Sequence, residues 1–340
     1  VSRRWTTLKD EDLLKVRICD LGLTIAGSEL EPLVEQLYNE IAAKELTFRP
    51  EAYLGDEWFS PEGVPAIAIP FYLAHPRLKA LEQELMFEVE GGNPSWCMRL
   101  LRHEAGHSFD HSYRLSRRRR WHELFGSPKQ EYLPETYRPR PYSRSFVKHL
   151  DNWYAQAHPD EDFAETFAVW LTPDSKWRRE YAKWKVALDK LQYVDRLARE
   201  CRNLKPRPVR EALPFNAAKM KSTLGTYYQK RKREHAIDYP GFYDEDLKRI
   251  FNGDAERAKR EFSASRFMTR NRKIILDSVS YWTGERKFPV EHFLKKLTDR
   301  CDELGLRIGR TESETLLEVA TYTATLVTNY LFTGQFKRSV

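Results

Sequence analysis

No window of this 340-residue chain offers the roughly 18 uninterrupted apolar residues that a membrane span requires, so a membrane partner is not expected. The first residues, Val1-Ser2-Arg3-Arg4-Trp5, have no apolar stretch behind them of the kind a secretory signal carries. Cysteine is scarce. Cys19, Cys97, Cys201 and Cys301 are widely spread and show no paired spacing, which argues against a disulfide framework. They read as reduced, mostly buried thiols, and the expected compartment is the cytoplasm. Repeats and low-complexity tracts are also missing.

What is present describes a folded protein. Hydrophobic residues make up 41% and aromatic residues 13%, and the length suffices for one large core or two modest ones. The net charge is +7, and it is concentrated. Between Tyr113 and Lys148 there are ten lysines and arginines against three acids, which equals the whole excess. This segment holds Arg117-Arg118-Arg119-Arg120, with Trp121, Phe125, Tyr132, Tyr137 and Tyr142 interleaved. Such a mixture suits an acidic substrate, or nucleic acid held by phosphate contacts and stacking. It equally suits a solvated face whose arginines pair with acids.

Residues 103–107 read His-Glu-Ala-Gly-His. Positions i and i+4 of a helix share one face, about 6 Å apart. His103 and His107 can therefore present neutral imidazoles to one metal ion, with Glu104 one step round as a base for water. Asn93-Pro94-Ser95 is a helix start, and Trp96, Leu100, Leu101, Ala105 and Phe109 supply helical apolar spacing. Gly106 costs about 1 kcal/mol against Ala in a helix, which suits a place where another backbone packs closely.

Zinc needs a third protein ligand. His111 is excluded, because it lies about 12 Å from His103 along a continuous helix. The longer pattern ending in a third histidine also fails, with Asp110 and Tyr113 at its Gly and His positions. The remaining candidate is His158-Pro159-Asp160-Glu161-Asp162-Phe163-Ala164-Glu165. Pro159 suits a first helical position, and acids in the first turn complement the helix dipole. Glu161 and Glu165 share a face. Glu161 can bind the metal while Glu165 accepts a hydrogen bond from a ligand histidine, which fixes that ring's tautomer.

Together these motifs resemble the gluzincins, metallopeptidases with a His-Glu-x-x-His helix and a glutamate from a second helix. Residues 1–200 look more narrowly like a bacterial family of zinc-binding metallopeptidases. The likeness is carried by Pro70-Phe71-Tyr72-Leu73-Ala74-His75-Pro76, by Leu101-Arg102 running into the histidine motif, and by Trp153-Tyr154-Ala155-Gln156 running into Glu161–Ala168. It implies a predominantly helical α+β protein, with a zincin-like catalytic domain over residues 1–204 that includes a small edge-strand sheet. In this class the outer acid usually follows the ligand by one turn, which favours Glu161 over Glu165 as the ligand. The resemblance also implies a zinc cofactor and a peptide or protein substrate. A Tyr or His usually stabilises the oxyanion. Tyr154 and His158 are the candidates here, with Tyr132, Tyr137 and Tyr142 on the intervening loop. An edge strand before the active-site helix would pair with extended substrate, and Val64–Pro70 is the candidate. The same chemistry could act on a non-peptide amide, and the basic segment keeps a nucleic-acid-associated binding protein as an alternative.

Along the rest of the chain, residues 8–45 and Trp177–Glu200 read as helical. Lys205-Pro206-Arg207-Pro208 reads as a boundary. A helical region, 205–340, follows as a substrate or partner module or as extra packing. Thr311-Glu312-Ser313-Glu314 is a capping-box pattern before an apolar run.

Overall fold

The computed structural model describes residues 4–132, 140, 142–151, 153–208, 212–235, 244–251 and 263–333. It is predominantly helical with one small sheet, the α+β class expected. The chain forms two compact units, Val1–Gln83 with Val89–Tyr227, and Glu84–Glu88 with Tyr228–Val340.

In the first unit the main helices are α1 (Glu31–Ala43), α2 (Pro94–Tyr113), α3 (Arg119–Phe125), α4 (Pro159–Leu171) and α5 (Lys185–Cys201). Helix α2 starts as its sequence directs. The Asn93 side chain accepts from the Trp96 N–H at 2.9 Å, and Pro94 needs no partner for the N–H it lacks. Helix α4 starts the same way, with Pro159 first, His158 as the cap and three acids in the first turn. These two helices pack against each other through Phe109 and Phe167, stacked at 4.9 Å. Trp121 and Phe125 of α3 close on Phe163.

At Gly106 the backbones of α2 and α4 come close together. A Cβ there would lie 2.7 Å from Ala164 Cα and 2.9 Å from its carbonyl oxygen, and backbone cannot swing aside. In an isolated helix Gly→Ala gains about 1 kcal/mol. Here overpacking reverses the sign, and Gly106→Ala should cost at least about 1–3 kcal/mol. Urea unfolding midpoints measure this; a variant as stable as wild type would show that the helices can separate freely.

Strands β1 (Glu51–Gly55) and β2 (Ala66–Pro70) pair in parallel, Glu51 opposite Ala66 and Gly55 opposite Pro70. Strand β2 is buried along its length and packs on α2. Its other side is not open to a peptide, contrary to the expectation for Val64–Pro70. The Ala68 N–H donates to Phe59 O at 2.8 Å, and the Ala66 carbonyl accepts from Ser60 Oγ at 2.8 Å. The chain has paired that edge with its own preceding segment, Phe59 and Ser60.

The helical region expected over 8–45 consists of Asp10–Leu13, a 3-10 turn at Ile18–Leu21 and α1, with Gly22 and Gly27 at positive φ between them. Residues 177–200 are split by a turn at 181–184. The first compact unit runs on past the Pro-rich stretch at 205–208 to Tyr227. Residues 212–227 pack back on the first unit: Thr223 bridges Arg17, Cys19 N–H donates to Met220 O at 2.9 Å, and Tyr53 Oη donates to Pro214 O at 3.0 Å.

The second unit is helical. Helices α6 (Asp244–Phe251), α7 (Ala264–Thr283), α8 (Lys287–Glu303) and α9 (Glu312–Thr333) surround a core that includes Phe267, Ile275, Phe293, Leu297, Val319 and Val327. The capping box forms as expected, with Glu314 N–H donating to Thr311 Oγ and Thr311 N–H to Glu314 Oε2. No helix among the described residues is long and apolar enough to cross a membrane.

Candidate metal centre

Helices α2 and α4 bring three donor atoms to one point. His103 Nε2 lies 2.9 Å from Glu161 Oε2, and His107 Nε2 lies 3.2 Å from the same oxygen. The two Nε2 atoms are 3.2 Å apart. Donors on a tetrahedral zinc ion at about 2.0–2.1 Å stand roughly 3.3 Å from one another, so the triangle has the right size. The chemistry fits too. With both histidines in the tautomer that presents an Nε2 lone pair, as a shared metal requires, the two nitrogens at this distance repel each other. A shared cation satisfies both, together with the carboxylate.

The outer nitrogen of His103 is held. Its Nδ1 donates to Glu165 Oε1 at 2.8 Å, which turns the lone pair of Nε2 inward. Glu165 is fully buried, and its other oxygen accepts from the Leu150 N–H at 2.8 Å. Both glutamates share a helix face, but one turn of α4 separates them. The structure places Glu161 against the inward nitrogens and Glu165 against the outward one. Glu165→Gln substitutes an amide donor for one acceptor and should weaken zinc binding about 10- to 100-fold. Competition against a chromophoric chelator reads this, and unchanged affinity would show that Glu165 does not orient the ring.

Glu104 is buried one step round α2, and its Oε2 has no hydrogen-bond partner among the described residues. Burial raises its pKa, only partly offset by the two histidines. Burial works against charge on His103 and His107, but the hydrogen bonds and charge of the glutamates outweigh it and raise both. The same pairing overrides burial at Glu161 and holds its carboxyl below the usual carboxylate range.

Residues 98–198 match a family model described as "putative zinc-binding metallo-peptidase". The expected family resemblance is thus borne out over that stretch, which contains both helices and every residue of the cluster. The cofactor is zinc, with His103, His107 and Glu161 grouped to bind it. No curated protein and no solved structure matches the chain.

The two oxyanion candidates fall in different surroundings. Tyr154 opens the 3-10 turn before α4, and its ring centroid is 5.6 Å from that of His103. Its hydroxyl is 2.7 Å from that of Tyr132. His158 is a buried cap with both nitrogens committed: Nδ1 accepts from the Asp160 N–H at 3.2 Å, and Nε2–H donates to Gln130 O at 2.9 Å. That use of His158 was readable, because it precedes Pro159 as Asn93 precedes Pro94. His111 lies elsewhere, 3.5 Å from Ser60 Oγ. Tyr142 is exposed beside Trp153, and Tyr137 lies outside the described residues.

Three of the four consecutive arginines are paired. Arg118 bonds Glu200, while Arg119 and Arg120 share Glu123 at 2.9 and 3.0 Å. These pairs are exposed and contribute little stability. They agree with a solvated face and lend no support to the acidic-substrate or nucleic-acid readings.

Proposed function

We propose that this protein is a zinc-dependent metallopeptidase that hydrolyses peptide bonds in a peptide or protein substrate. The observation that carries the reading is the convergence of His103, His107 and Glu161 beside a buried, unpartnered Glu104 oxygen. A zinc-structured fold has no use for such a base, whereas hydrolysis does.

His103, His107 and Glu161 would hold the ion. Zinc, when bound, supplies Lewis acidity that makes water a nucleophile near neutral pH and polarises a carbonyl. Glu104 takes the proton from the attacking water and passes it to the leaving amine. Its raised pKa suits both acts, since a carboxyl titrating closer to neutrality both accepts and returns a proton. Tyr154 is the proposed donor to the charge that develops on the carbonyl oxygen, on the side of His103. Burial, then the nearby Glu161 charge, push its phenol far up, so it stays a proton donor. Glu165 holds the His103 tautomer. A cytoplasmic setting belongs to the same proposal, supported by buried Cys97, Cys201 and Cys301, whose thiols burial pushes up to about 12, 11 and 12.

The test is cleavage of a mixed peptide library by zinc-loaded protein, analysed by mass spectrometry, with Glu104→Gln as the control. Discrete cleavage that disappears in the control supports the reading. Zinc-loaded wild type that cleaves nothing, or cleavage that persists in the control, counts against it.

A further inference from the structure

The segment Gln130–Tyr132 contacts two residues that border the metal centre, His158 and Tyr154. Gln130 O accepts from His158, the cap of the helix that carries Glu161. The Tyr132 ring stands edge-on to the His158 ring, with centroids 5.4 Å apart. The Tyr132 hydroxyl then meets that of Tyr154 at 2.7 Å, and the Tyr154 ring lies against His103. One residue from outside both helices thus contacts the start of α4 and, through Tyr154, a ligand on α2. Tyr132 is 46% exposed as a residue, and the partial burial of its hydroxyl end, then the Glu161 charge, raise its phenol.

We propose that Tyr132 is a positioning residue of the metal centre, its ring set against the His158 cap of α4 and its hydroxyl holding the Tyr154 phenol in place beside His103. The inference rests on the metal site proposed above and extends it to a loop residue. Two phenols carry two protons, and the bond between them uses one. The other is then available to an acceptor in the site, either the Glu161 carboxylate or a substrate oxygen. Hydrogen bonds in such a chain reinforce one another, so removing either hydroxyl loosens the other.

The test compares Tyr132→Phe, Tyr154→Phe and the double variant, with Tyr142→Phe as an exposed control on the same stretch. Phenylalanine keeps both ring contacts, and unfolding midpoints check that the fold is intact. The first readout is zinc affinity by chelator competition. The second is the visible spectrum with cobalt(II) in place of zinc, which reports ligand geometry. Tyr132→Phe should bind zinc about tenfold more weakly or worse, in the range for groups that orient metal ligands, and should shift the cobalt spectrum. The double variant should lose no more than the worse single one, since both act through one bond. Tyr142→Phe should match wild type. Wild-type affinity and spectrum in Tyr132→Phe overturn the proposal, as do losses that simply add in the double variant. Neither readout needs a substrate. A protein that cleaves no peptide but loses zinc affinity in Tyr132→Phe keeps this inference and loses the peptidase reading. Normal cleavage with unchanged zinc binding in Tyr132→Phe does the reverse.

Discussion

Glu104→Gln is expected to lower peptide turnover about a thousandfold while leaving zinc bound. A positioned general base contributes roughly 10²–10⁴ to rate, and Gln cannot accept the proton. The zinc should remain because Glu104 is not among the three convergent atoms. Structure should also survive. Glu104 Oε2 is buried without a partner among the described residues, so a neutral amide of the same shape removes a desolvated carboxyl that the fold gains little from. The variant should therefore be at least as stable as wild type. Turnover on whichever library peptide wild type cleaves, with metal content measured on the same sample, decides it. Activity within a few-fold of wild type would remove Glu104 from the mechanism. Lost zinc would show that it helps hold the ion.

Lys190→Met should destabilise the protein by about 3–5 kcal/mol, the usual cost of leaving one member of a buried ion pair alone. Lys190 and Asp162 are 3% and 2% exposed at their side chains and meet at 2.5 Å. The ammonium also donates to Ser145 O at 2.8 Å and lies 4.3 Å from the centre of the Phe146 ring. Asp162 directly follows Glu161 on α4, so the pair anchors the helix that carries the third donor. Burial pushes the Asp162 carboxyl up to about 7 even with Lys190 pulling it down. The sign of the pH effect follows. A carboxyl whose folded pKa is raised stabilises the fold below its unfolded pKa, about 3.9, and that contribution is lost as pH rises through about 7. Without Lys190 the folded pKa rises further, so the defect should be larger at pH 8 than at pH 5.5. Combining Lys190→Met with Asp162→Leu should restore most of the stability, because apolar pairs replace buried ion pairs well. Urea midpoints at the two pH values test all three statements. A pH-independent loss of under about 1 kcal/mol would mean that water reaches the pair.

Much of the centre was legible because it depends on helix periodicity. The i, i+4 spacing of His103 and His107 needs only a helix, and the Asn93-Pro94 and Pro159 starts indicated where the two helices begin. Gly106 announced the close crossing with Ala164. Which glutamate faces inward depends on how α4 is rotated against α2. Glu161 and Glu165 lie on one face, so periodicity alone cannot separate them, and only the family resemblance favoured Glu161. The remaining misses are pairings between distant residues. Thr223 returns to Arg17, and Tyr132 meets Tyr154, 22 residues further on. Local sequence carries no signal for such contacts. The Pro-rich stretch at 205–208 does mark a break in regular structure, and residues 212–227 beyond it pack back on what precedes it.

The most direct test is zinc content per chain by elemental mass spectrometry, on wild type, Glu161→Ala and Glu165→Ala purified without added metal. The donor triangle predicts about one zinc in wild type, clearly less in Glu161→Ala, and retention with weaker affinity in Glu165→Ala. Full zinc in Glu161→Ala with loss in Glu165→Ala would exchange the two roles. No zinc in wild type, even after zinc is offered, would contradict the metal centre itself.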